Sequence, residues 1–72
     1  MDQEHLEQLG DQLRRVGHRR RELVEQTYQE VQEGDGRSSK ELYRELSQIS
    51  DQAIQIIERQ KEMFDEEVSR IQ

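Results

Sequence analysis

The chain contains no cysteine and no proline, and its aromatic residues are two tyrosines and one phenylalanine. Without cysteine there is no disulfide staple and no thiolate metal site, a composition that fits a reducing compartment. No apolar stretch approaches the roughly 20 residues needed to cross a bilayer. The opening Met1-Asp2-Gln3-Glu4-His5 has neither the basic segment nor the apolar run of a secretory signal, so the expected location is the cytoplasm. At 72 residues, 29% of them hydrophobic, the chain has room for one small domain and not for a large enzyme core. Groups able to converge on a substrate are also scarce. His5 and His18 are far apart in sequence, no glycine-rich phosphate loop and no HExxH occur, and no side-chain set has the spacing of a metal or cofactor site. The pair His18 and Glu22, four residues apart, suits an ordinary exposed helix contact. A non-enzymatic protein without cofactor or metal is therefore expected.

Leucine, glutamate, glutamine and arginine, all good helix formers, fill most of the chain. The only cluster of helix breakers is Glu33-Gly34-Asp35-Gly36-Arg37-Ser38-Ser39. One break predicts two helices, over 3–33 and 39–70, with a turn at 34–38. Gly34 or Gly36 can take the left-handed conformation that closes the first helix. Ser38 or Ser39 can cap the second, Ser38 standing at capping-box distance from Glu41. At 100° per residue, Leu6, Leu9, Leu13, Val16, Leu23, Val24, Tyr28 and Val31 share an arc of about 140°. From Leu42, the residues Leu46, Ile49, Ala53, Ile56, Ile57, Met63, Phe64 and Ile71 fall on one side, and Tyr43, Ile54 and Val68 widen that arc to about 180°. The expected fold is all-α: a single antiparallel two-helix hairpin, coiled-coil-like, with helices of about 48 Å.

Such a hairpin has no interior layer, so its apolar stripes call for further helices, from another protein or from a second copy. The second helix is apolar over more surface than the first can cover. That surplus places a docking surface on Tyr43, Ile54, Ile57, Phe64 and Val68; the plainer alternative is that a twisted hairpin core uses most of these residues. Gly10 and Gly17 lie on the apolar side of the first helix, where glycine costs ~1 kcal/mol relative to alanine. A close backbone approach or a slot for a partner's side chain explains them, and a weak N-terminal half of the helix is the plain alternative.

Charge is uneven. Arg14, Arg15, Arg19, Arg20 and Arg21 fall in a segment without acids, whereas Glu62, Asp65, Glu66 and Glu67 form an acidic block. Antiparallel pairing puts the arginines near residues 50–58, where Asp51 and Glu58 can answer part of the cluster. Arg15 and Arg19 are then candidates for guiding an acidic partner. A net charge of −6 and the lack of aromatics among the arginines oppose nucleic-acid binding by the chain as a whole.

Met1-Asp2-Gln3 with Leu6-Glu7, Gly34-Asp35 at mid-chain, and Tyr43, Ser47, Asp51, Ala53-Ile54 and Ile56-Ile57 in the second helix resemble the E-type co-chaperones of type III secretion needle subunits, the YscE-like proteins. The resemblance runs over nearly the whole chain, although the arginine cluster has no counterpart in it. It implies a cytoplasmic adaptor that docks on a helical-repeat partner and helps keep an aggregation-prone needle subunit monomeric. A second stretch, Leu46-Ser47-Gln48-Ile49-Ser50-Asp51-Gln52-Ala53-Ile54, is similar to the S-Q-E-L-D-x-L-I signature of small sporulation aspartyl-phosphate phosphatases, which are also helical hairpins. Ser47, Gln48, Asp51 and Ile54 match; Ile49 and Ser50 replace its glutamate and leucine. That resemblance implies a regulator that dephosphorylates a response regulator through exposed Gln48 and Asp51. A homodimeric four-helix-bundle regulator is the third reading open to these residues.

Overall fold

The computed structural model describes residues 1–71 and consists of two helices, α1 (Gln3–Glu33) and α2 (Gly36–Arg70), which pack antiparallel along a molecule of 56 × 18 × 13 Å. Both helices start on an aspartate whose side chain accepts an otherwise unpaired backbone N–H. Asp2 takes that of His5 at 3.1 Å and Asp35 that of Ser38 at 3.0 Å. Neither helix is long and apolar enough to cross a membrane.

The turn is tighter than the predicted 34–38. Gly34, at φ 78°, is the one residue with positive φ among those described. Its N–H donates to Val31 O and the N–H of Asp35 donates to Glu30 O, both at 3.1 Å. These two bonds form a Schellman closure, which needs only one left-handed residue. Asp35 can therefore cap α2 directly, and the helix begins at Gly36, three residues before the expected start. Ser38 and Ser39 are inside the first turn of α2 and are not its cap. Ser39 Oγ instead donates to the Asp35 carbonyl at 2.6 Å.

The helices meet along a heptad seam. On α1, Leu6, Leu9, Leu13, Val16 and Leu23 are buried or half-buried; on α2, Leu42, Leu46, Ile49, Ala53, Ile56 and Met63 are. Their spacing alternates three and four, the 3.5-residue period of helices that stay in contact over their length. Leu23 is 1% exposed and the most completely buried side chain. Polar residues also hold positions of the same series, Arg20, Thr27 and Glu30 on α1 and Ser39, Gln60 and Glu67 on α2.

A straight helix drifts ~20° per heptad against such a seam. Over four heptads that drift carries several residues off the stripe on which 100° steps place them. Val24, Tyr28 and Val31 are exposed, and Ile71, at 75% exposure, stands at the C-cap of α2.

Candidate interaction surface

Beside the seam runs a second heptad series. On α1 it contains Gly10, Gly17, Val24 and Val31, and on α2 Tyr43, Ser50, Ile57 and Phe64, with Tyr28, Ile54 and Val68 one step further round. In an antiparallel pair, corresponding flanking positions of the two helices lie on the same side. Two observations confirm that side here. An open apolar groove near the turn is lined by Thr27 and Val31 of α1 and by Tyr43 and Ser47 of α2. Arg20 Nε donates to Ser50 Oγ across the helix pair at 3.2 Å. The opposite side is polar, with Arg19 and Glu45 paired at 3.5 Å beside a groove that also contains Gln48 and Gln52. The hairpin thus has one apolar face and one polar face.

The five residues expected to dock a partner are all on the apolar face. Tyr43 is 62% exposed, Ile54 and Ile57 51%, Phe64 47% and Val68 63%. The hairpin core does not consume them, because the seam takes Leu42, Leu46, Ile49, Ala53, Ile56 and Met63 instead. Val24, Tyr28 and Val31 extend the patch across α1. Thr27 Oγ1 is buried beneath it with no hydrogen-bond partner.

Gly10 and Gly17 fall on this face too. A Cβ at either would meet nothing within 4 Å, so no close backbone approach inside the hairpin explains them. α1 runs unbroken through both. Of the expected explanations, a close approach inside the hairpin is excluded, and the open space at both positions leaves an indentation on this face.

The charges fall out differently from the sequence expectation. Within the arginine cluster, Arg14 pairs with Asp11 at 3.6 Å on its own helix, and Arg19 pairs with Glu45. His18 and Glu22 are 3.6 Å apart, as their spacing suggested. Asp51 and Glu58 do not answer the arginines, because both point away from α1 on the outer side of α2. Arg15 and Arg19 lie toward the polar side, away from the patch. Arg14 and Arg21 are the arginines that rim it, and among the described residues Arg21 makes no salt bridge. Only the heptad register separates these two pairs; a count of charges along the chain does not.

Three side chains have displaced acidities, all toward the ends of the molecule, Asp35 and Lys61 exposed and Glu67 half-buried. The Asp35 carboxyl is held below its ordinary value chiefly by the Ser38 backbone N–H. Glu67 is lowered by its hydrogen bond from the terminal ammonium of Met1, at 2.6 Å. The Lys61 ammonium is raised by its 2.9 Å bond to Asp65. Glu67 and Lys61 line shallow, open surface grooves, and no group of three metal-ligating side chains forms among the described residues. Of the four residues shared with the phosphatase signature, Gln48 and Asp51 are exposed, whereas Ser47 and Ile54 turn toward the apolar face. Comparison with protein-family models, with curated proteins and with solved structures finds no match.

Proposed function

We propose that the chain is a non-catalytic helical interaction module, a hairpin that offers one apolar face to another helical protein surface and so completes a bundle. The observation that carries this reading is the continuity of the patch. Tyr43, Ile54, Ile57, Phe64 and Val68 of α2 lie alongside Val24, Tyr28 and Val31 of α1, all exposed, with a polar face opposite. Contiguous apolar surface of this kind on so small a protein marks an interface. Burial of aliphatic and aromatic anchors supplies affinity, and the rim arginines act mainly on the rate of encounter. In the form implied by the resemblance to the E-type co-chaperones, the module works in the cytoplasm beside a helical-repeat protein and helps hold a type III secretion needle subunit monomeric.

The test is capture on the wild-type chain and on Ile54→Asp in parallel, followed by calorimetry with the captured protein. Ile54 is outside the seam, so the substitution leaves the hairpin folded. Loss of binding with unchanged helicity is expected, while Arg15→Ala weakens binding little and only at low salt. Equal affinity for wild type and Ile54→Asp would place the interface elsewhere.

A further inference from the structure

We propose that the surface covering the apolar face is a second copy of the chain, arranged so that the two turns lie at the same end and α1 of each copy lies along α2 of the other. The proposal rests on the interaction-module reading and names its occupant. The face is large enough: the 56 × 18 Å outline allows about 1,000 Å² per copy, against about 800 Å² per partner in an ordinary stable complex.

Two-fold symmetry permits two face-to-face arrangements, because the axis lies in the interface and runs either across the hairpin or along it. An axis across it sets α1 on α1 with the turns at opposite ends. The arginines at 14, 15, 19, 20 and 21 sit near the middle of the 56 Å hairpin, so this arrangement lays the cluster over its own copy. An axis along the hairpin sets α1 on α2 of the second copy, antiparallel, and keeps the levels that the Arg19–Glu45 and Arg20–Ser50 contacts define. Counted from the turn at those levels, Arg14 comes between Asp51 and Glu58 of the second copy, and Arg21 about one helical turn from Asp51. Within one chain these two acids make no salt bridge among the described residues, and they point outward where a second copy's arginines arrive. The apolar residues fit the same register. Gly10 comes level with Ile57 of the second copy and Gly17 between Ser50 and Ile54, so exposed aliphatic side chains lie beside the two open positions of α1. Val24 and Tyr28 come opposite Tyr43. Each match occurs twice, once in each copy.

Because the outward charges do not hold the hairpin together, they can be reversed without unfolding it. One chain carries Arg14→Glu and Arg21→Glu, and a second carries Asp51→Lys and Glu58→Lys. In sedimentation, each alone should self-associate at least about tenfold more weakly than wild type, and an equimolar mixture should regain wild-type association as a mixed dimer. Orientation is read independently from a nitroxide on Gly36→Cys, a clean site because the chain has no cysteine and a Cβ there meets no atom within 4 Å. Dipolar spectroscopy should give a separation under about 25 Å, set by neighbouring helices and two label arms. A wild-type chain that stays monomeric to about 0.1 mM overturns the proposal, as do labels separated by nearly the hairpin's length or charge-reversed chains that the mixture fails to restore. A monomeric chain would still leave the interaction-module reading to its own test, the comparison of Ile54→Asp with wild type against a captured partner.

Discussion

Replacing Leu23 by alanine tests where the hairpin keeps its stability. Leu23 is 1% exposed, and the adjacent Val24 is 41% exposed on the other side of the seam edge. Leucine-to-alanine changes at buried sites cost about 2.7–5 kcal/mol, the larger values where surrounding structure cannot relax. A two-helix seam is open to either side and can close partly over the gap, which puts the expected cost near 3 kcal/mol. A chain of this length has a total stability of roughly 4–11 kcal/mol, so Leu23→Ala removes a large share of it. At about 4–8 °C per kcal/mol for a domain of this size, the melting temperature should fall by about 12–24 °C in circular dichroism. Val24→Ala should cost less than about 1 kcal/mol in dilute solution, because alanine is the better helix former and the valine is only partly covered. Any larger cost should emerge only as the concentration rises and copies associate. Equal losses for the two variants in dilute solution, or a fall of only a few degrees for Leu23→Ala, would refute the assignment of the seam.

Thr27→Val should raise stability by about 1 kcal/mol in urea denaturation, since it keeps the shape and removes the buried Oγ1 that has no partner. Asp35→Ala should lower the melting temperature and Asp35→Asn should largely preserve it, because either oxygen-bearing side chain can accept the Ser38 N–H. The folded Asp35 carboxyl is depressed, chiefly by the Ser38 N–H, so its contribution is fully present above the ordinary carboxylate range and is lost as pH falls through the lower folded value. An acid titration of stability should therefore show a step that Asp35→Asn lacks. Asp51→Ala should leave helicity unchanged, and the purified chain should not accelerate loss of phosphate from a phosphorylated response regulator. An acceleration abolished by Asp51→Ala would replace the non-catalytic reading with the phosphatase one.

The two helices were legible because a single breaker cluster interrupts an otherwise uniform run of helix formers. The limits of α1 and the end of α2 follow from the same composition. The start of α2 did not, because the choice between Asp35 and the serines depends on how few residues the Schellman closure at Gly34 needs, a matter of backbone geometry. The width of the apolar arc on α2 signalled a surface beyond the hairpin core. Its extent over α1 was hidden by the 100° wheel, which folds Val24, Tyr28 and Val31 into the core; the 3.5-residue seam turns them outward. The same shift decides which arginines matter at the rim. Arg14 and Arg21 flank the patch by register, and nothing in their chemistry distinguishes them from Arg15 and Arg19.

The central claim is that the face bearing Ile54, Ile57 and Phe64 is covered by a second copy of the chain, and sedimentation equilibrium on wild type and Ile54→Asp side by side, with helicity recorded on the same samples, tests it most directly. The wild-type chain should associate, with a melting temperature that rises with concentration, and Ile54→Asp should remain a helical monomer over the same range. Indistinguishable masses for the two chains at every concentration would contradict it.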